Sequence, residues 1–376
     1  RDCQSHLAGG DEPRRPASRY FSEAGKKTYL ISYERGSSWR NIGGGRPAFS
    51  VPEIAEIANQ NQEIFKEIQK VTNIHYKPIR YVGLAHDEKE YKALEASLAW
   101  SEGYMVDKKD FTKEISPYFN PDLDTYQAAL ITMNCWQATP GRVIEYIRNV
   151  ASQNGGVLLE NARLLEVQRT DKGFMALVYN QNQEFIEFHC EHFVNALGSN
   201  AGEFAKQLGV DTGFYPVKHQ AFITGRLPLL GKDGDALDMI IDRRHYKGFS
   251  AVYGQQFAHT GQIIGCASPA TDASEVVKDL RYNSKAFIEI CAEVFRQWIP
   301  QLGAVSFQAF WSGYYTEPRY IVDPENNLIA GMRGHGFMLG QYMAKMYVDK
   351  YLGKPTPSYF DRLTLKGDGL KENAFK

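Results

Sequence analysis

Residues 328–351 constrain this chain more tightly than any other stretch. Leu328-Ile329-Ala330 is an apolar run that predicts a short buried strand. Gly331, Gly334, Gly336 and Gly340 follow, and this density lets the backbone approach another group closely. Leu339, Met343, Met346, Tyr347 and Tyr351 then recur at helical spacing, and Lys354-Pro355 closes the element. A strand, a glycine turn and a helix together aim bare N–H groups and the positive helix end at one point. Such a point suits a phosphate, a carboxylate or a ring that becomes an anion. An ordinary tight connection from strand to helix has the same pattern, so from this stretch alone both readings stand.

The rest of the composition narrows the class. With 376 residues the chain is long enough for two domains or one large interwoven fold. Its 43 basic and 44 acidic side chains nearly cancel, which points away from nucleic acid and from anionic membrane surfaces. No apolar run approaches the roughly 18 residues that span a bilayer. Cysteines 3, 135, 190, 266 and 291 are odd in number, widely spaced and free of CxxC pairs. They read as core residues in a reducing compartment, and with no signal-peptide pattern at the start the expected location is the cytoplasm. The histidines make no metal-ligand spacing, and His189-x-x-His192 reads as a solvated strand edge.

Along the chain, residues 1–16 are polar and carry Gly9-Gly10, Pro13 and Pro16, which makes a poor strand and a poor phosphate loop. A helix is expected over 17–24, then a strand over Thr28–Tyr33 and a glycine-rich loop over Ser37–Pro47. Ser50-Val-Pro-Glu53 predicts a helix start with Ser50 as N-cap and Glu53 closing a capping box. Residues 80–138 are mixed, with a helix expected near 88–101. Pro140–Asn154 reads as a helix with Val143, Ile144, Ile147, Val150 and Ala151 on one face. Short strands follow, then the small-residue turn 195–202. Alternating patterns run through 214–268, and a helix is expected over about 275–298. Alternating strands and helices at both ends imply a helix-covered parallel sheet, while the middle implies an antiparallel one, so the fold class is α/β plus α+β.

Three small-residue turns, 36–46, 195–202 and 331–340, would converge on one ligand if they shared the C-terminal edge of one sheet. Their sequences also carry a resemblance. Phe193-Val-Asn-Ala-Leu-Gly-Ser-Asn-Ala-Gly202 is similar to the VNAAGAWS turn of the D-amino-acid oxidase, sarcosine oxidase and glycine oxidase family of FAD enzymes. Arg333-Gly-His-Gly-Phe337 resembles that family's SGHGF turn beside the flavin pyrimidine, and Ser38-Trp-Arg-Asn41-Ile-Gly43-Gly-Gly45 its SxxNxGG loop near the flavin ring. Trp311-Ser-Gly-Tyr314 matches the strand leading to the last turn, and 140–166 the family's helix-then-strand unit.

The resemblance spans about residues 17–376 and implies a glutathione-reductase-like FAD-binding domain (1–80, 140–212, 320–376) with a mainly antiparallel substrate domain (81–139, 213–319). It implies cofactor contacts from Gly9, Gly10, Glu34, Ser38, Arg40, Asn41, Gly43, Gly44, Gly45, Leu164, Asn195, Ala196, Gly198, Gly331, Arg333, Gly334, His335, Gly336, Phe337 and Met338. Leu164 would touch adenine. Gly313 stands where some relatives carry the cysteine that links to flavin, so the FAD is expected to be non-covalent. One segment departs from the pattern. Leu7-Ala-Gly9-Gly10-Asp11-Glu12-Pro13-Arg14 places charged residues or proline where the dinucleotide fingerprint has glycines, and Glu34 falls two residues beyond the expected ribose-binding position.

The implied chemistry is hydride removal from the carbon beside an amine, on an amino acid or N-alkyl amino acid, with electrons passing on to oxygen, a quinone or a partner protein. A substrate carboxylate calls for an arginine, and the candidates are Arg319, Arg46 and Arg40. Tyr253, Tyr314, Tyr315 and His245 are further candidates for the substrate side. Lys218, Lys247 and Lys345 are candidate cations for oxygen activation. Homo-oligomerisation is left open by the sequence. The alternative reading is a family member that has lost or weakened its cofactor binding and is not catalytic; a nicotinamide-dependent dehydrogenase on the same sheet edge is a further rival.

Overall fold

The computed structural model describes residues 6–10, 14–32, 36–120, 126–244, 248–269 and 284–370. The polar N-terminal segment proves to be a strand, β1 (His6–Gly10), followed by helix α1 (Arg14–Glu23) and strand β2 (Thr28–Ser32). This overturns the reading of residues 1–16 as a poor strand. β1 lies between two parallel neighbours that satisfy its backbone on both edges, so pairing outweighs its weak strand propensity. After the glycine loop, which contributes the two-residue strand β3 (Gly44–Gly45), comes the long helix α2 (Pro52–Val71). Its N-cap is Val51 and Pro52 opens the first turn, so the helix starts one residue later than the N-cap expected at Ser50.

The region 80–138 contains more strand than its mixed composition suggested. It holds β4 (Lys77–Ala85), α3 (Glu88–Ala96), β5 (Gly103–Asp107), the short helix α4 (Phe111–Glu114) and β6 (Ala128–Gln137). The domain limit expected at residue 80 falls inside β4. Helix α5 (Pro140–Gln153) forms as its apolar spacing requires, then β7 (Val157–Glu160), β8 (Arg163–Thr170), β9 (Gly173–Tyr179), β10 (Phe185–Cys190), β11 (His192–Ala196) and α6 (Ala201–Gln207). The chain continues through β12 (Tyr215–Arg226), β13 (Met239–Asp242), β14 (Phe249–Gln256), β15 (Gln262–Pro269) and α7 (Lys285–Trp298). It ends with β16 (Phe307–Glu317), β17 (Ile321–Asp323), β18 (Leu328–Ala330) and α8 (Gly336–Tyr351).

Among the described residues the strands form three sheets. The first has the order β17-β18-β11-β1-β2-β7 and is parallel except for β17. Helices α1, α2 and α8 pack on it through Phe21, Ile54, Ile57, Leu339, Met343 and Tyr347. A small antiparallel sheet, β10-β9-β8, covers the opposite side, packing Leu164, Val167 and Val178 against Ile31 and Phe193. The third sheet is large and mainly antiparallel, ordered β16-β12-β15-β14-β13-β4-β6-β3, with β5 paired to β6. One face packs Phe222, Ile240, Val252 and Ile263 against Phe287, Phe295 and Trp298 of α7. The other face carries Ile79, Tyr81, Cys135 and Met239, with Ile42, Ile241 and Tyr253 around them.

His192 is not at a solvated edge. It is buried, its Nε2 is 2.9 Å from the Tyr347 hydroxyl, and its ring stacks on Tyr351. Cys135, Cys190, Cys266 and Cys291 are free and buried. Among the described residues no helix is long and apolar enough to cross a membrane, and no group of three or more His, Cys, Asp or Glu is placed to hold a metal ion.

Candidate active site

The parallel strands β2, β11 and β18 all end on one edge of the first sheet, so the turns after β11 and β18 start side by side. The turn 36–46 joins them through β16, which touches both residues 37–39 and residues 198–200, while β3 touches α8. The convergence expected from sequence is therefore built by one long strand of the other sheet.

Each turn is held differently. In the first, Ser37 Oγ donates to Tyr314 O at 3.0 Å and accepts from Tyr314 N at 3.1 Å. Trp311 Nε1 donates to Arg40 O at 2.7 Å, and Arg40 Nη1 donates to Ser312 O at 3.2 Å. Asn41 folds back on this loop, its Oδ1 accepting from Gly43 N and its Nδ2 donating to the carbonyl of buried Ser38. Gly43, Gly44 and Gly45 lack side chains because of the large sheet: a Cβ would strike Ala138 O, the Tyr81 hydroxyl and the Trp136 ring respectively.

In the second turn, buried Asn195 donates to Ala201 O at 2.8 Å, Ala196 ends β11, and Gly198 adopts φ +57. Beside it lies a cleft of about 190 Å³ lined by Ile31, Leu164, Leu197, Asn200, Glu203 and Phe204. Leu164 thus faces a cavity with apolar walls and a polar rim.

The third turn runs from β18 through Gly331, Arg333 and Gly334, all with positive φ, into α8. Arg333 N donates to Thr316 O at 3.2 Å, tying the turn to β16. A Cβ on Gly334 would run into the Tyr315 ring, so this ring covers bare backbone. His335 is braced by the Tyr320 hydroxyl at 2.7 Å from its Nδ1 and by Phe49 edge-on. Gly336 opens α8, Phe337 packs into Phe65 and Trp136, and Met338 is half-buried between two apolar clusters.

Above this turn stands an aromatic ceiling from the large sheet. The Tyr253 and Tyr315 hydroxyls are 3.0 Å apart. Burial raises the pKa of both well above the ordinary tyrosine range, so both stay protonated. His219, opposite Gly313 in the β12–β16 register, stacks on Tyr315 with ring centroids 3.5 Å apart. Burial lowers its pKa to about 3, so the imidazole is neutral. His219 carries no motif by which the sequence could have singled it out.

Arg46 is buried, donates to Ala48 O, and lies over the Phe49 ring with its Cζ 4.1 Å from the centroid. Arg243 is half-buried, and its pKa is lowered to about 10, by burial first and then by the positive charge of Arg46. Other candidates lie elsewhere. Arg319 donates to Gly367 O and Leu365 O, which places its guanidinium on the C-terminal tail. Tyr314 alternates to the face opposite Tyr315. Lys345 pairs with Asp349 on α8. Gly9 and Gly10 end β1. Glu34, His245, Lys247 and the segment Asp11–Pro13 lie outside the described residues.

A helix-covered parallel sheet with small-residue turns on one edge, roofed by a large antiparallel sheet, is the architecture of a nucleotide-cofactor enzyme. The cleft at Leu164, the left-handed turn and the helix start fit a long dinucleotide whose far end becomes anionic. The family model of FAD-dependent oxidoreductases called DAO matches residues 18–350, and the chain belongs to this family.

Solved structures share the fold over nearly the whole chain. The L-proline dehydrogenase of P. horikoshii superposes with a TM-score of 0.81 at 20% identity, covering 97% of each chain. The glycine oxidase of Geobacillus kaustophilus gives 0.80 at 16%, covering 97% of this chain and 98% of that one. The L-alpha-glycerophosphate oxidase of Mycoplasma pneumoniae, with FAD bound, gives 0.74 at 16%, covering 96% and 97%. No curated protein sequence matches the chain.

Proposed function

We propose that this FAD-dependent oxidoreductase removes hydride from the carbon beside the amine of an amino acid or N-alkyl amino acid. The observation that carries the reading is the turn 331–336: a left-handed, side-chain-poor backbone at the start of a 16-residue helix, roofed by the Tyr253–Tyr315 pair. Bound FAD supplies the hydride-accepting ring. The chain orients and shields around it. The N–H groups at the start of α8 stabilise negative charge that develops nearby, and the aromatic ceiling excludes water. Gly313 offers no nucleophile, so the cofactor is held without a covalent bond.

Arg46 is the arginine we assign to the substrate carboxylate. It follows the first turn directly, and Phe49, on which it lies, meets His335 of the third turn at 5.4 Å. A guanidinium resting on an aromatic ring presents its donors edge-on, which suits the two oxygens of a carboxylate. The first and third turns with the parallel sheet form the cofactor side, and the large sheet, including the whole of β4, forms the substrate side. The structural relatives whose names specify proline or glycine support an amino-acid substrate for this chain as well.

The test is anaerobic mixing of the FAD-loaded protein with primary amino acids, N-alkyl amino acids and simple amines. Amino acids should bleach the flavin and simple amines should not. Arg46→Ala should weaken saturation by roughly 10- to 100-fold, the worth of hydrogen bonds to a charged group. Bleaching by simple amines alone, or undiminished saturation in the variant, contradicts the assignment. Reoxidation of the bleached protein with air or with a quinone then names the acceptor.

A further inference from the structure

Asn61 lies in the middle of α2 and is 0% exposed. Its amide reaches into the first turns of α8. Nδ2 donates to Phe337 O at 3.2 Å, while Oδ1 accepts from Gln341 N at 2.9 Å and Tyr342 N at 3.2 Å. Phe337 O and Gln341 N are four residues apart, the two ends of one rung of an α-helical ladder. One side chain therefore clamps that rung from outside and fixes its direction relative to α2.

An apolar residue would serve better if packing were the only task. Ile54, Ile57 and Phe65 on the same helix are buried without any polar requirement. A buried amide is tolerated only where its donors and acceptors are matched, and here three of its bonds go to one helix start. α2 is also tied to the first turn of the site. It begins just after Phe49, whose ring meets His335. The helix thus spans from the end of one ligand turn to the beginning of the other.

We infer that Asn61 is a positioning residue that sets the aim of the Gly336 and Phe337 amides at the flavin. The inference rests on the placement of reduced flavin beside α8 proposed above. With the clamp in place, the donors hold one direction as charge develops, and no reorganisation is needed. Without it, the first turn of α8 is free to reorient on Phe337 and Gly336, and the reduced, anionic ring loses more than the oxidised one.

The experiment is the midpoint potential of flavin bound to the FAD-loaded protein, measured by dye-coupled anaerobic titration. Asn61→Leu should bind FAD with a normal visible spectrum but titrate about 30 mV lower, the two-electron equivalent of a tenfold loss in preference for the reduced form. If Asn61→Leu does not fold, Asn61→Ser should show the same shift, because its short hydroxyl cannot span both groups. Gln62→Leu is the control. It removes a neighbouring buried amide that donates to the Tyr76 hydroxyl at 2.9 Å and to Asn134 O at 3.2 Å, so it should lower the melting temperature and leave the potential unchanged. A wild-type potential in the Asn61 variants overturns the inference while the flavin placement stands. Equal shifts in Gln62→Leu and the Asn61 variants overturn it too, since loss of stability would then explain both. A wild-type protein that takes up no FAD overturns the inference and the functional reading together.

Discussion

Arg333 and Glu317 form a buried ion pair, with Nε 2.9 Å from Oε2 and side chains 3% and 10% exposed. The pair joins the third ligand turn to the end of β16, the strand that also gathers the other two turns. Arg333 holds a positive φ of 50, which a non-glycine residue adopts only when its surroundings over-determine it. The ion pair and the Arg333 N to Thr316 O bond supply that constraint.

Removing one partner should be far worse than removing both. Glu317→Ala leaves a buried guanidinium uncompensated and should cost about 3–5 kcal/mol in denaturant unfolding. Glu317→Leu combined with Arg333→Met should recover most of that loss. Additive losses in the double variant would mean that the two charges are not coupled.

Gly334→Ala meets two obstacles at once, a φ of +81 and the Tyr315 ring. A loss above about 1 kcal/mol is expected, together with slower flavin reduction. Repeating the substitution in a Tyr315→Leu background should cost less, because only the backbone strain remains. Equal costs in the two backgrounds would show that the ring contact is unimportant.

The Tyr253–Tyr315 hydroxyl pair is a separate target. Tyr253→Phe breaks the 3.0 Å contact but keeps the ring. Catalysis should fall about tenfold, with little change in the melting temperature. Unaltered kcat and KM would reduce the pair to a structural contact.

His219 makes a pH prediction with a definite sign. Its folded-state pKa is lowered from 6.5 to about 3, so below pH 6.5 the unfolded chain binds a proton that the folded chain refuses. Its contribution to stability is fully present above pH 6.5 and is lost as the pH falls toward 3. His259, lowered to about 4, adds to the same slope. His219→Phe, which keeps a ring to stack on Tyr315, should therefore show a shallower fall in melting temperature between pH 6.5 and 4. An unchanged slope would place the acid sensitivity elsewhere.

Much of the ligand edge was legible because it is written in backbone chemistry. The strand Leu328–Ala330, the glycines after it and the helix that follows form one uninterrupted pattern, and α5 is equally plain in its apolar spacing. β1 was not legible: a five-residue strand ending in Gly9-Gly10 has little propensity, and it is held by β2 on one edge and by β11, more than a hundred residues away, on the other. β4 was hidden by Lys77, Pro78, Arg80 and Gly83, and β6 by a run buried on both faces that shows no alternation. The ceiling residue His219 and the clamp Asn61 belong to no local pattern. Their roles arise from what lies across a strand or a helix from them, which no spacing records. The triplet Gly43–Gly45 has a packing reason for its glycines that no spacing records, since a Cβ there would strike Ala138 O, the Tyr81 hydroxyl and the Trp136 ring.

The most direct test of the central claim is the visible absorption spectrum of the purified protein during titration with FAD, with the melting temperature followed in parallel. The account predicts flavin bands perturbed from those of free FAD and a rise in melting temperature, because a ligand that binds only the folded state stabilises it. A spectrum that remains that of free FAD, with no gain in melting temperature, would contradict the account and leave a family fold without its cofactor.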